Sequence, residues 1–373
     1  MIPAARLDQL GSPLPAGCLY LFVCGPGGTT GHGAEALALA LPGQGWLTID
    51  ACKVGTALPQ ERIISRWCSP GEPLLAAVLT HPHDDHAAGL GELLDVLRPP
   101  VVAVTGNPPP EQDLARRVGD LLSSGVTNKD IASRTVISAL NAMQRLVTTG
   151  ATRLVPLRDG EVLIPGPATV RCLAPTSSEI SALLGTLPKE QANELSAVLE
   201  VTWGATRLLL GADLPWKNPR GTVLQSGWAS VDTRHPGLAR HTGLKVPHHG
   251  SREALHPGLL GAPGTVERLW VCTPFERSDL PRMDPGDGAD QLLAAEPRLH
   301  LTKRPHVKDK APGATLSISS LRTPPGAPRS YRVAPPVDPL DAVWCFAFDD
   351  KGQLAGRWRG DAAVEVVPEP SGV

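Results

Sequence analysis

The sequence predicts a layered α/β protein, and three observations predict it. Gly (38) and Pro (39) together make 77 of 373 residues, which demands many short elements joined by tight turns. Short apolar or alternating runs bounded by Gly, Pro or Asn recur along the chain, as strands do. Between them lie segments whose apolar residues fall at helical spacing. A hydrophobic fraction of 42% suits a globular core and is too high for a disordered chain.

In order, strands are expected at 18–24, 36–41, 46–51, 74–80, 101–105, 162–164 and 169–173. Residues 196–203 and 206–211, joined at Gly204-Ala205, read as one hairpin. Later strands are expected at 244–246, 268–272, 300–302 and 315–319. Leu90, Leu93, Leu94 and Leu97 share a helical face. Residues 111–122 and 129–147 form a helical block within an insertion spanning 111–150, with Thr127 and Asp130 spaced as a helix cap. The block is expected to pack on a sheet or to cover a site. Further short helices are expected at 177–184, 251–260 and 289–295. Six Pro within residues 323–339 make an extended connector. Residues 340–366 then form a C-terminal β-hairpin extension turning at Asp349-Asp350-Lys351-Gly352, packed on the domain. That extension gathers Trp344, Phe346, Phe348 and Trp358 in a chain with 4% aromatic residues. They would cover a sheet edge or dock a protein partner.

Lys+Arg 35 against Asp+Glu 37 excludes a whole-surface electrostatic grip on nucleic acid or anionic lipid. The seven Cys are scattered singly with no C-x-x-C pair, which fits reduced thiols in a cytoplasmic protein. The apolar stretch 18–24 is too short for a signal peptide or a membrane span, so no membrane association is expected.

The chemistry concentrates in His81-Pro82-His83-Asp84-Asp85-His86, an H-x-H-x-D-H string directly after a strand. Imidazole nitrogen with carboxylate oxygen is the donor set that Zn²⁺ prefers. Four such side chains within six residues diverge on a loop, which favours two adjacent ions over one. Arg207–Asp213 ends a strand on a carboxylate able to bridge two ions. Leu244–Ser251 again sets His248 and His249 at a strand end.

These residues resemble the metallo-β-lactamase superfamily. The likeness extends to one branch, the soluble hydrolase domain of the ComEC/Rec2 DNA-uptake proteins. Gly31-His32-Gly33-Ala34 followed by 35–39 is similar to its G-Q-G-D segment, and 46–50 to its strand ending in I-D. Asn193-Glu194-Leu195-Ser196 is similar to N-N-x-S, 207–213 to f-L-L-T-G-D, and 244–251 to L-K-V-P-H-H-G-S. The resemblance spans residues 18–320 and keeps the order of all motifs. It implies a four-layer αββα sandwich with a metal site at one edge. It also implies His81 and His83 on one ion, Asp85 and His86 on the other, Asp213 bridging, and His248 on the second ion. Asp50 would support the motif loop. The superfamily's intermediate His is missing, because none occurs between His86 and His235; Asn193 or a water is the expected substitute.

The activity so implied is hydrolysis by a metal-bridged hydroxide on two Zn²⁺ ions, or Mn²⁺, with a nucleic acid or nucleotide as substrate. Asp85 would orient the hydroxide, and His249 would contact the phosphate, protonate the leaving oxygen or serve structurally. Lys245, Ser251 and Arg252 would meet the substrate. The same motifs serve hydrolases of thioesters, lactones or amides. The missing His and the aromatic tail motivate a third reading, a binding or regulatory subunit of a defence or competence system.

Overall fold

A computed structural model describes residues 2–25, 34–108, 131–184, 193–261, 268–284, 286–305 and 338–367. The segments expected at 31–33, 111–122 and 315–319, the Thr127/Asp130 cap and nearly all of the connector lie outside them.

Two mixed sheets face each other. The first contains β1 (Ala5–Arg6), β2 (Leu19–Cys24), β3 (Ala36–Leu41), β4 (Gly45–Asp50), β5 (Leu74–Leu79), β6 (Val101–Thr105) and β7 (Arg153–Leu157). The second contains β8 (Val162–Ile164), β9 (Ala168–Ala174), β10 (Val198–Trp203), β11 (Thr206–Leu210), β12 (Gly243–Lys245), β13 (Leu269–Cys272) and β14 (Leu299–Leu301). The C-terminal strands β15 (Val343–Phe348) and β16 (Leu354–Arg359) join the first sheet, and β17 (Val364–Val366) joins the second. The first sheet runs β1-β16-β15-β2-β3-β4-β5-β6-β7 and the second β17-β14-β13-β12-β11-β10-β9-β8.

The period-2 pattern of β3 shows how the layers form. Leu37, Leu39 and Leu41 face the core between the sheets, whereas Ala36 and Ala38 face outward. The small alanines let Ile63 and Trp67 of the helix Pro59–Trp67 close on that outer face. The helices Leu90–Leu97 and Ile131–Thr148 cover the rest of it through Leu90, Leu94, Leu140 and Met143. Across the sandwich, Trp228, Val231, Leu259 and Leu292 cover the outer face of the second sheet. The result is the four-layer αββα arrangement of the metallo-β-lactamase fold.

The structure differs from the expected elements at four places. A strand forms at Arg153–Leu157 despite Pro156, because β7 is an edge strand. The helix expected over 251–260 forms only at Pro257–Leu260, since a proline is accepted in the first turn and not in the interior. The helices Pro59–Trp67 and Trp228–Arg234 were not expected. Finally, the C-terminal hairpin is woven into the sandwich: β15 pairs with β2 and β16, and β17 pairs with β14. Trp344, Phe346 and Phe348 are buried in the core between the sheets, so they offer no docking surface, whereas Trp358 is partly buried and packs beside Tyr20 on the outer face. The seven cysteines are free thiols, and among the described residues no helix is long and apolar enough to cross a membrane.

β4, β5, β6 and β7 run parallel in one sheet, and β11, β12, β13 and β14 in the other. Parallel strands bring their C-terminal ends to one edge, where loops collect side chains from distant parts of the chain.

Candidate metal centre

Four neighbouring strand ends supply the cluster. Asp50 closes β4, the His81–His86 loop follows β5, Asp213 follows β11, and His248-His249 follow β12. Asp50, Ala212, His248 and His249 have φ of 55°, 43°, 45° and 50°. Left-handed backbone is costly for residues with a Cβ, and its concentration here marks side chains aimed for a purpose. Backbone bonds tie the loops together: Glu35 N–H donates to Asp85 O (2.9 Å), Ala51 N–H to His86 O (2.8 Å) and His248 N–H to Ala212 O (2.8 Å).

Asp213 sits at the middle. One carboxylate oxygen lies 3.3 Å from His86 Nε2, and the other lies 3.9 Å from His81 Nε2 and 3.8 Å from His249 Nε2. Asp85 Oδ2 lies 3.1 Å from His249 Nε2 and 3.9 Å from His86 Nε2. Two ligand groups result, each with donor atoms within 4.8 Å of one another: Glu35, His86, Asp213 and His249 in one, and His81, His83 and Asp213 in the other. Asp213 belongs to both.

The donors fit divalent cations on their own chemistry. His81 Nε2, His86 Nε2 and Asp213 Oδ1 are buried without a hydrogen bond of acceptable geometry. Buried polar atoms left so are costly, and a cation among them would satisfy all three at once. Imidazole and carboxylate together suit Zn²⁺ or Mn²⁺.

A supporting shell fixes the rings. Asp50 accepts hydrogen bonds from the Thr80 amide (2.7 Å) and hydroxyl (2.8 Å), and its Oδ2 is 2.7 Å from His86 Nδ1. The proton held on Nδ1 by that carboxylate leaves His86 Nε2 as a donor pair toward the centre. His249 Nδ1 donates to Thr273 O (2.7 Å), which aims its Nε2 inward. The Thr273 hydroxyl donates to Glu35 (2.7 Å), and Lys245 Nζ pairs with Glu35 from behind.

Titration in the cluster follows from burial and the close charges. Burial opposes ionisation of Asp85 and Asp213, but the neighbouring imidazoles His86 and His249 outweigh it and hold both carboxyls below their usual range. Burial likewise opposes the imidazolium of His86 and of His249; Asp213 and the other carboxylates outweigh it and raise both. His81 is lowered well below its usual value by burial, then by repulsion from His86 and His83. Burial raises Asp50 against the pull of His86.

The structure brings His81, His83, Asp85, His86, Asp213 and His249 together and supports them with Asp50. Asp85 and His248, both expected as ligands, belong to neither group; Asp85 lies beside them, 3.1 Å from His249 Nε2. Consecutive left-handed residues turn His249 inward instead, while His248 Nε2 accepts from Asn193 Nδ2 at 3.2 Å. Lys245 is not placed to meet a substrate: it is fully buried, pairs with Glu35 and donates to Val246 O. Ser251 is buried and donates to Glu253. Arg252 is exposed and pairs with the same Glu253 at 3.1 Å. Glu35, Thr80 and Thr273 were missed; the one signal was a carboxylate directly before β3.

Residues 26–180 match the metallo-beta-lactamase superfamily model. That segment contains the His81–His86 loop and ends before Asp213 and His249. Among solved structures, a beta-lactamase domain protein from Burkholderia ambifaria shares 17% identity over 49% of this chain and 48% of its own, with TM-score 0.29. The match thus spans about half the length of that protein. A hydrolase of the beta lactamase superfamily, AbOPH, shares 14% identity over 65% of this chain and 88% of its own, with TM-score 0.37. A subclass B3 metallo-beta-lactamase of Bradyrhizobium japonicum shares 14% over 78% of this chain and 90% of its own, with TM-score 0.31. No protein of curated function matches the sequence.

Proposed function

We propose that this metallo-β-lactamase superfamily domain, with its buried His/Asp/Glu cluster, is a metal-dependent hydrolase of phosphodiester bonds. The observation that carries the reading is Asp213 shared between two ligand groups. One carboxylate between two imidazole sets is the arrangement that holds two divalent ions side by side. The choice of phosphorus over a carbonyl carbon is supported by the ComEC/Rec2-like motifs around Asn193, Asp213 and His248-His249.

Divalent ions bound by these donors supply Lewis acidity toward a phosphoryl oxygen and a nucleophilic hydroxide at neutral pH. The chain's own groups do the rest. Asp85, partly exposed, and Asp213, buried, are both anionic; they accept hydrogen bonds from the attacking water and fix its direction. Asp50 and Thr273 keep His86 and His249 in one tautomer each, with Nε2 toward the centre. Since His249 is turned in among the ligands, contact with the leaving or non-bridging oxygen falls to His248 and Asn193, which border the cluster. Arg252, exposed three residues after His249 and paired with Glu253, would attract a phosphate.

The test is a substrate panel with Zn²⁺ or Mn²⁺: single-stranded DNA, RNA and bis(4-nitrophenyl) phosphate against a thioester and a lactone. Metal-dependent cleavage of a phosphodiester, lost in Asp85→Ala, is expected. Turnover of the carbonyl substrates alone would refute the assignment.

A further inference from the structure

We propose that Asn193 and His248 read a hydroxyl group beside the reacting phosphate, and that the substrate is therefore RNA. The inference rests on the phosphodiesterase reading above and names its substrate class. Backbone and side-chain bonds place both residues at the cluster. Asn193 O accepts from the Ser196 amide (3.0 Å), and Ser196 Oγ accepts from the Asp213 amide (3.3 Å). The His248 ring lies 6.4 Å from that of His249, centroid to centroid. Its backbone is left-handed (φ 45°), a costly conformation for a residue with a Cβ, and this sets where the ring points.

The bonds that the pair leaves unmade identify the group it takes. Asn193 Nδ2 donates to His248 Nε2 at 3.2 Å, so the ring proton is on Nδ1. His248 Nδ1, a donor, and Asn193 Oδ1, an acceptor, are both buried with no hydrogen-bond partner among the described residues. Turning the amide over exchanges the two roles and again leaves one donor and one acceptor. Buried polar atoms left so are costly until a ligand meets them. A phosphodiester oxygen can take the donor's proton, but nothing on the diester itself donates to the acceptor. A neighbouring hydroxyl does. In RNA the 2′-hydroxyl stands on the carbon next to the one whose oxygen is bonded to phosphorus, and DNA lacks it. Phe275, partly exposed and stacked on His249 (5.0 Å between centroids, planes 21° apart), adds an aromatic surface at the same edge, the kind on which unpaired bases rest.

Matched single-stranded oligonucleotides of RNA, DNA and 2′-fluoro RNA test this on the full chain supplied with Mn²⁺. Cleavage is compared on the wild type, and affinity on Asp85→Ala by fluorescence anisotropy. RNA should exceed the other two by about 10- to 100-fold in kcat/KM and by about tenfold or more in affinity, as when a buried polar group loses its partner. The 2′-fluoro strand is close to RNA in size but has no donor, so it isolates the hydrogen that the free acceptor requires without altering the protein. Asn193→Leu should bring the RNA-over-DNA ratio close to one, with metal content per folded chain unchanged. Equal handling of RNA and DNA, or of RNA and 2′-fluoro RNA, would overturn the proposal; cleavage of both would still leave the phosphodiesterase reading standing. A preference retained in folded Asn193→Leu would also overturn it. Tighter binding of RNA without cleavage of any strand would uphold the hydroxyl recognition and sink the phosphodiesterase reading.

Discussion

The two ends of the sandwich bury charge in opposite ways. At the metal end, carboxylates and imidazoles crowd together with three buried donor atoms unsatisfied. At the other end, Arg357, His300 and Glu365 satisfy one another, and Trp344 seals them with its ring edge-on to His300 at 4.9 Å. Glu200 offers an internal standard for a finished carboxylate: it is 2% exposed and accepts Nε–H bonds from Arg171 and Arg207. Asp213 is as deeply buried, but imidazoles stand where those guanidiniums would be. A site kept incomplete without a ligand serves function, and a site completed by the chain's own groups serves stability.

That contrast is broken most forcefully at the arginine end. Trp344→Ala should cost about 3–5 kcal/mol, the usual loss for a large buried aromatic, plus the bond from its Nε1 to Leu301 O. Urea unfolding reads this, and metal content per folded chain should not change. A mild loss would mean that the C-terminal strands are an appendage and not part of the core.

The next effect is at the metal end. Asp50→Asn keeps size and packing but removes the carboxylate that fixes His86. Metal affinity should fall about 10- to 100-fold, as when other outer partners of a ligand are removed. Competition with a chromophoric chelator measures it, and unaltered affinity would show that His86 needs no such support.

The smallest effect sharpens the arginine end by pH. Burial lowers His300 to about 4, with the Trp270 carbonyl opposing and Arg357 assisting. The folded value lies below the unfolded one, so the unfolded chain takes up the proton first as pH falls. The stability that neutral His300 contributes is full above its unfolded value and is lost as pH falls toward about 4. Between pH 7 and 5.5 the loss should be about 1 kcal/mol. It should be absent in His300→Gln relative to the wild-type slope; equal slopes would contradict the assignment of a neutral His300.

These comparisons also explain what the sequence could convey. Strands bounded by Gly, Pro or Asn were legible because local chemistry dictates them, as in β3, β6 and β8. The clustering of the His81–His86 loop with Asp213 was legible because imidazoles and carboxylates at strand ends leave a local pattern. The choice between His248 and His249 was not, since it depends on two backbone angles. Lys245 read as a substrate contact because a charged residue is ordinarily solvated; only the fold shows Glu35 waiting behind it. The Arg357–His300–Glu365 cluster was invisible, its members being dispersed between positions 300 and 365. Pro156 hid a strand that edge position permits.

The central claim is that Asp213 joins two metal sites. Metal stoichiometry of the purified chain, measured beside Asp213→Ala by elemental analysis, tests it most directly. Two divalent ions per chain, falling to one or none in the variant with the fold retained, are predicted. A wild-type chain that binds no divalent ion when supplied with Zn²⁺ or Mn²⁺, or a variant that keeps both, would contradict it.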